Sequence, residues 1–248
     1  MLTVRFGGGK MALLEVSNLT KQFGGLTAVS DVTCYLERGE ILGLIGPNGA
    51  GKTTLFNMIS GYYPPTSGTV FFEGKNITGL PPHIICGLGI ARTFQICQPF
   101  MELNVLENAM VGACHYARSL KEARKEAAKA LEVVGIDKKS ELLAGNLSTP
   151  DRKSLEFARA LATKPKPLIL DEPAAGLNSA EVESFLDTVI NVSKNNKLTI
   201  LIVEHVLQVI MRLCSRIVVL DEGKMIAEGK PEDIARNPMV ITAYLVEE

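Results

Sequence analysis

No run of eighteen or so uncharged apolar residues occurs in this 248-residue chain, so no segment reads as a helix that crosses a bilayer. The richest apolar stretch, Leu198 to Leu220, is interrupted by Glu204, His205, Arg212 and Arg216. The N-terminus lacks the apolar core of a secretory signal. Its Gly7-Gly8-Gly9-Lys10 run reads as a flexible leader over residues 1–11, with Met1 and Met11 both open as starts. An excess of either charge is missing too: 26 basic against 27 acidic residues give a net −1, which excludes a general attraction to nucleic acid or anionic lipid. The five cysteines (Cys34, Cys86, Cys97, Cys114 and Cys214) show no C-x-x-C spacing and are expected to be reduced, mostly buried thiols of a cytoplasmic protein. The three histidines lie far apart, without paired metal-ligand spacing. Internal repeats and low-complexity segments are absent from the sequence. What remains is ordinary globular composition, 46 % hydrophobic and 21 % charged, long enough for one large domain and a smaller lobe.

Within that composition one stretch stands out, Gly46-Pro47-Asn48-Gly49-Ala50-Gly51-Lys52-Thr53-Thr54. It follows the apolar run Ile41 to Ile45 and precedes Leu55, Phe56, Met58 and Ile59, which share a helical face. Strand, glycine loop and helix together fit the phosphate-binding pattern G-x-x-x-x-G-K-[ST]. Gly46, Gly49 and Gly51 let backbone N–H groups turn inward around phosphate oxygens. The helix N-terminus adds partial positive charge. Lys52 has the reach for the β- and γ-phosphates, and the Thr53 hydroxyl is a Mg²⁺ ligand by type. Asn48, Ala50 and Thr54 complete the nucleotide-contacting loop.

Around this loop the pattern alternates strand and turn. Strands are expected at Leu13 to Val16, Thr27 to Val29, Val32 to Leu36 and Thr69 to Phe72, with a turn at Glu73 to Asn76. Between about Cys97 and Ser148 the character becomes helical, with Val105, Ala109 and Met110 on one stripe. A strong helix runs from Ala123 to Val134, closed by Gly135. The core resumes with a helix from Leu155 to Ala162 and a buried strand at Leu168 to Leu170. An amphipathic helix from Ala180 to Lys194 and strands at Thr199 to Val203 and Ile217 to Leu220 follow. The expected fold is α/β: a phosphate-loop (RecA-like) parallel core with an N-terminal antiparallel β subdomain, and a helical subdomain inserted at about 97–155 of a domain spanning 12–248.

Leu168-Ile169-Leu170-Asp171-Glu172-Pro173 is an apolar strand that ends in two acids, at the edge where open α/β sheets bind ligands. Asp171 is the candidate Mg²⁺ ligand, and Glu172 the acceptor of a proton from an attacking water. His205 ends another core strand, within expected reach of a γ-phosphate. Gln95, in Ala91-Arg92-Thr93-Phe94-Gln95, sits where the core hands over to the helical lobe.

The order of these pieces resembles the ATP-binding subunits of ABC transporters, from Leu13 to the end. The resemblance implies ATP and Mg²⁺ as ligands, with Phe23 stacking on adenine and Val29 among the nucleotide-contacting residues. It makes Gln95 the residue that senses Mg²⁺ and the transmembrane partner, and so a metal-site and catalytic residue together. Asn178 takes a position at the dimer seam, and His205 contacts the γ-phosphate. Ala91 to Gln95, Pro99-Phe100, Asn104 to Asn108 and Glu172 to Asn178 resemble the branched-chain amino acid importers, and in them the larger ATP-binding subunit. Importers of urea and short amides are close relatives. The implied partners are permease subunits, a second ATP-binding subunit (the same or a related chain) and, indirectly, a solute-binding protein, with no nucleic acid. The implied place is the cytoplasmic face of a bacterial or archaeal membrane. A weakly hydrolysing regulatory subunit is the rival. Soluble ABC proteins of DNA repair or translation fit neither the spacing nor the charge.

One element departs from the family. Where its signature reads Leu-Ser-Gly-Gly-Gln, this chain has Leu147-Ser148-Thr149-Pro150-Asp151. Ser148 retains the hydroxyl that the family presents to the nucleotide of the opposite subunit. Thr149 is the expected cap, with Pro150 at the first helical position. Pro150 has no N–H to donate, and Asp151 is expected to set a negative charge near a phosphate. A weaker signature and two unequal sites are the expectation.

Overall fold

The computed structural model describes residues 12–245, so the expected leader over residues 1–11 lies outside the described residues. In chain order the elements are β1 (Leu14–Phe23), β2 (Leu26–Leu36), β3 (Ile41–Ile45), α1 (Lys52–Ile59), β4 (Ser67–Phe72), β5 (Lys75–Asn76), α2 (Pro82–Leu88) and β6 (Ala91–Arg92). Helices α3 (Val105–Ala113), α4 (Leu120–Val134) and α5 (Thr149–Leu161) follow, then β7 (Pro167–Asp171) and α6 (Ser179–Asn196). The chain closes with β8 (Thr199–Val203), α7 (Leu207–Leu213), β9 (Arg216–Asp221), β10 (Lys224–Gly229), α8 (Pro231–Ile234) and α9 (Pro238–Leu245). They form two compact units, one from the segments up to 88 and from 199 onward, the other from 89 to 198.

In the first unit, β2-β1-β4-β5 make an antiparallel sheet whose register explains its buried face. Leu14 stands opposite both Leu36 and Phe72, and Val16 opposite both Cys34 and Val70. All six are buried, because directly opposed residues share a face. Strand β2 runs unbroken where the sequence suggested two pieces. Asp31 takes φ 54 there, and the β1–β2 register shifts on either side of the break, so a bulge absorbs the polar residue. The same unit holds the parallel strands β8, β3 and β9, with β10 antiparallel on β9. Every residue of β8 is buried, as expected for a parallel strand covered on both faces.

In the second unit β6 pairs parallel with β7, Ala91 opposite Leu168 and Arg92 opposite Ile169. Helices α3, α4 and α5 pack on one another through Ala113, Ala123, Ala130 and Ala162, whose small side chains permit close approach. Phe157 of α5 meets Phe185 of α6 edge-on at 5.8 Å. Helix α5 begins at Thr149, six residues before the apolar pattern predicted, because its first turn is polar. The short β6 and α2 carry too little periodicity to show in the sequence. Of the cysteines, only Cys34 and Cys214 are buried; Cys86 and Cys97 are half-buried and Cys114 is exposed, so the expectation of mostly buried thiols is corrected. All five are free thiols.

Candidate functional site

In the first unit, β3 delivers residues 46–51 to the N-terminus of α1. Gly46 takes φ 152, and a Cβ there would lie 2.1 Å from the Leu220 carbonyl oxygen. Gly51 takes φ 95, and its Cβ would lie 2.4 Å from the Ala28 carbonyl oxygen. Only glycine fits either place. The loop is braced from the β9–β10 turn: the Gly223 N–H donates to the Ala50 carbonyl at 3.1 Å, and the Ser30 N–H to the Gly223 carbonyl at 2.8 Å. Lys52 is buried, and its Nζ donates to the Gly46 and Pro47 carbonyls at 2.6 and 2.7 Å. The amine is thus stored at the mouth of the loop, where it reinforces the positive end of α1. Thr53 and Asn48 are exposed, Thr54 is half-buried, and Ala50 and Val29 are buried beneath the loop. His205 follows β8 with its side chain 53 % exposed. The fully buried Glu204 carboxylate accepts the His205 and Val206 N–H groups at 3.2 and 3.5 Å and so shapes that turn.

In the second unit, β7 ends in Asp171, 5 % exposed. Burial raises its carboxyl above the ordinary range, partly offset by the Arg92 guanidinium at 3.3 Å. Glu172 turns out of the strand at φ 43, a left-handed conformation that costs a non-glycine residue about 1–2 kcal/mol. Its Oε2 accepts a hydrogen bond from Gln95 Nε2 at 2.6 Å, between residues 77 apart in sequence. The amide nitrogen being so engaged, the side-chain oxygen Oε1 of Gln95 is the atom left to meet a cation.

The amino-terminal turn of α5 differs from expectation. Ser148, not Thr149, is its N-cap, accepting the Asp151 N–H, and Pro150 falls at the second helical position. The Ser148 hydroxyl donates to Asp151 Oδ2 at 2.6 Å, and Lys139 Nζ reaches the same oxygen at 2.5 Å. Burial pushes the Asp151 carboxyl up, but the Lys139 and Ser148 hydrogen bonds outweigh it and hold it below the ordinary range. The negative charge expected at this turn is therefore compensated locally.

Residues 29–175 match the family described as ABC transporter, and residues 224–245 match the family described as branched-chain amino acid ATP-binding cassette transporter. The chain belongs to the ABC transporter family. Within it the chain is an ATP-binding subunit, an ATPase that couples hydrolysis to transport. It is 40 % identical to the high-affinity branched-chain amino acid transport ATP-binding protein BraF of Pseudomonas aeruginosa, over 95 % of this chain and 98 % of that one. A crystal structure of an ABC transporter ATP-binding cassette in its ADP conformation superposes with TM-score 0.86, at 32 % identity, over 95 % of this chain and 99 % of that one. A dimeric cassette in a post-hydrolysis state, bound to ADP and phosphate, superposes with TM-score 0.78, at 25 % identity, over 88 % and 98 %.

Against this ABC cassette frame, the structure places Phe23 exposed at the end of β1, edge-on to Tyr63 at 5.4 Å, with Lys21 Nζ 5.0 Å from its ring. Asn178 caps α6 in a reciprocal box with Glu181. Sequence reasoning passed over Arg92, Lys139, Lys153 and Glu156, whose partners lie elsewhere in the sequence, and Glu204, which holds the turn of its own neighbours His205 and Val206. The one available signal was Lys153 and Glu156 on a helix face otherwise filled by Phe157 and Ala160.

Proposed function

We propose that this cassette powers the import of branched-chain or other hydrophobic amino acids, with ATP held by residues 46–54. Support for the substrate class comes from the relatives and from the match over residues 224–245. Phe23 stacks on the adenine, Lys52 leaves the two loop carbonyls for the β- and γ-phosphates, and His205 contacts the γ-phosphate. Val29 supports Gly51 from beneath, with its Cγ2 3.3 Å from where a Cβ on that glycine would stand. Glu172 takes the proton of the attacking water while the water oxygen bonds to the γ-phosphorus and the bond to the β-phosphate oxygen breaks. The Gln95 amide, donating to Glu172, orients the carboxylate.

Mg²⁺ fits the oxygen donors present. Asp171 is a desolvated carboxylate, and Thr53 and Gln95 add a hydroxyl and an amide oxygen. Among the described residues no group of three or more His, Cys, Asp or Glu is disposed to hold a metal. Magnesium bound largely through substrate phosphates needs only one or two carboxylates. When bound, it neutralises phosphate charge.

A second ATP-binding subunit, the same chain or a relative, supplies the signature opposite residues 46–54, and Ser148 of this chain serves the partner's nucleotide. Asn178 lies at the seam. The helical subdomain, about residues 97–155, moves on hydrolysis and drives the permease through the apolar surface around Pro99, Phe100 and Met101, of which Phe100 and Met101 are exposed. Among the described residues no helix is long and apolar enough to cross a membrane, and the proposed place is the cytoplasmic face beside that permease, served by a solute-binding protein.

The Gln95–Glu172 hydrogen bond carries the hydrolytic reading. In the complex purified through this chain, Glu172→Gln is expected to lower ATP turnover at least about 100-fold with nucleotide binding retained. Unchanged turnover would favour the weakly hydrolysing regulatory subunit instead.

A further inference from the structure

Residues 94–100, the loop that carries Gln95, have no regular secondary structure, so their backbone groups need partners from elsewhere. Three of these come from one stripe of α5. Lys153 Nζ donates to the Gln95 carbonyl at 3.2 Å, Glu156 Oε1 accepts the Phe94 N–H at 2.8 Å, and Arg159 donates to the Gln98 carbonyl at 3.3 Å. Glu156 Oε2 also accepts the Cys97 thiol at 2.8 Å. Spacings of three residues put 153, 156 and 159 in a row along the helix.

Two members of the row are charged and buried, Lys153 at 6 % and Glu156 at 5 % exposure. Taking such groups from water is strongly unfavourable. An apolar pair would pack α5 without that cost, so packing does not explain them. Lys153 has a second target: its Nζ donates to the Glu172 carbonyl at 3.3 Å. One ammonium therefore grips the backbone of both members of the Gln95–Glu172 pair, from the helix whose cap is Ser148.

We infer that Lys153 and Glu156 are positioning residues, which make α5, the Gln95 loop and Glu172 a single rigid piece and so set the orientation of the hydrolytic carboxylate. This rests on the reading of Glu172 as proton acceptor. Both act through the backbone of the Gln95 loop and of Glu172. Their effect is on the geometry of the step, so it falls on kcat rather than on ATP affinity.

The test is steady-state ATP turnover of the complex carrying Lys153→Met, with Lys153→Arg as the conservative rescue. Lys153→Met is expected to lower kcat about 10- to 100-fold, the scale of a small misplacement of reacting groups, with KM for ATP within about twofold. Lys153→Arg is expected to recover most of that loss. Unchanged kcat, or a rise in KM alone, overturns the inference. Glu156→Met, which keeps the side-chain length but has no oxygen to accept the Phe94 N–H, provides a second measurement if Lys153→Met does not fold. Amide hydrogen exchange at Phe94 and its neighbours is expected to quicken while the amides of α5 stay protected; unchanged exchange overturns the inference. The two readings fail separately. If Glu172→Gln leaves turnover intact, the assignment of Glu172 falls. If it abolishes turnover and Lys153→Met changes nothing, the positioning role alone falls.

Discussion

Asp151 shows how far a residue's type falls short of its effect. By sequence it is a carboxylate where the family has glutamine. In the fold it accepts the Ser148 hydroxyl and meets Lys139, which lies on a 3₁₀ turn twelve residues earlier. Its folded-state pKa is lowered despite burial, so its contribution to stability is present above the unfolded value, about 3.9. That contribution is lost as pH falls through the lower, folded value. Lys139 is 43 % exposed, and solvent screening keeps such a pair below about 1 kcal/mol. Lys139→Met is therefore expected to destabilise the chain by less than about 1 kcal/mol at neutral pH, and by progressively less toward acid. Urea unfolding of both proteins across that range checks the convergence. A constant difference at all pH values would show that the lysine acts through packing.

At the level of helices and strands, most of the architecture was legible because apolar periodicity and local turn chemistry decide it. The stretch from Ala180 to Lys194 shows its buried face directly, and the structure places Phe185, Leu186 and Val189 there. The loop at 46–54 was legible for the same reason, since glycine, lysine and threonine spacing are local. The start of α5 was not, because Thr149-Pro150-Asp151 is polar and Ser148 competes with Thr149 for the cap. Nor was the Gln95–Glu172 hydrogen bond, whose partners are separated by three helices. Asn178 combines both situations: a local cap of α6 in the structure, and a seam residue by family resemblance. Asn178→Ala is expected to cost about 1 kcal/mol in chemical denaturation, and Asn178→Asp, an equally good cap, to restore it. Turnover of the complex separates the roles. Recovery with Asp means that capping is the whole contribution, whereas activity still missing in the stable Asp variant locates a further demand at the seam.

For the assembled transporter, the departure at residues 149–151 becomes a statement about two chains. On the proposed reading, the half of the site that faces residues 46–54 comes from a partner, and the half this chain offers in return lacks an N–H at Pro150. Its serine hydroxyl is already donated to Asp151. A phosphate arriving there competes with a carboxylate for that hydroxyl, though Lys139 offsets the charge. Rebuilding the family sequence with Thr149→Gly, Pro150→Gly and Asp151→Gln supplies the missing donor, removes the competing carboxylate and frees Ser148. Turnover at the partner's nucleotide is expected to rise about tenfold, what one hydrogen bond to a charged group is worth at the low end. The first turn of α5 loses stability in exchange, since glycine in a helix costs about 1 kcal/mol relative to alanine. ATP turnover of the whole complex, compared with a complex bearing only Asp151→Asn, separates the carboxylate from the missing N–H. If neither variant turns over ATP faster than the parent, the signature is not weakened, and Lys139 fully compensates Asp151 at the catalytic seam.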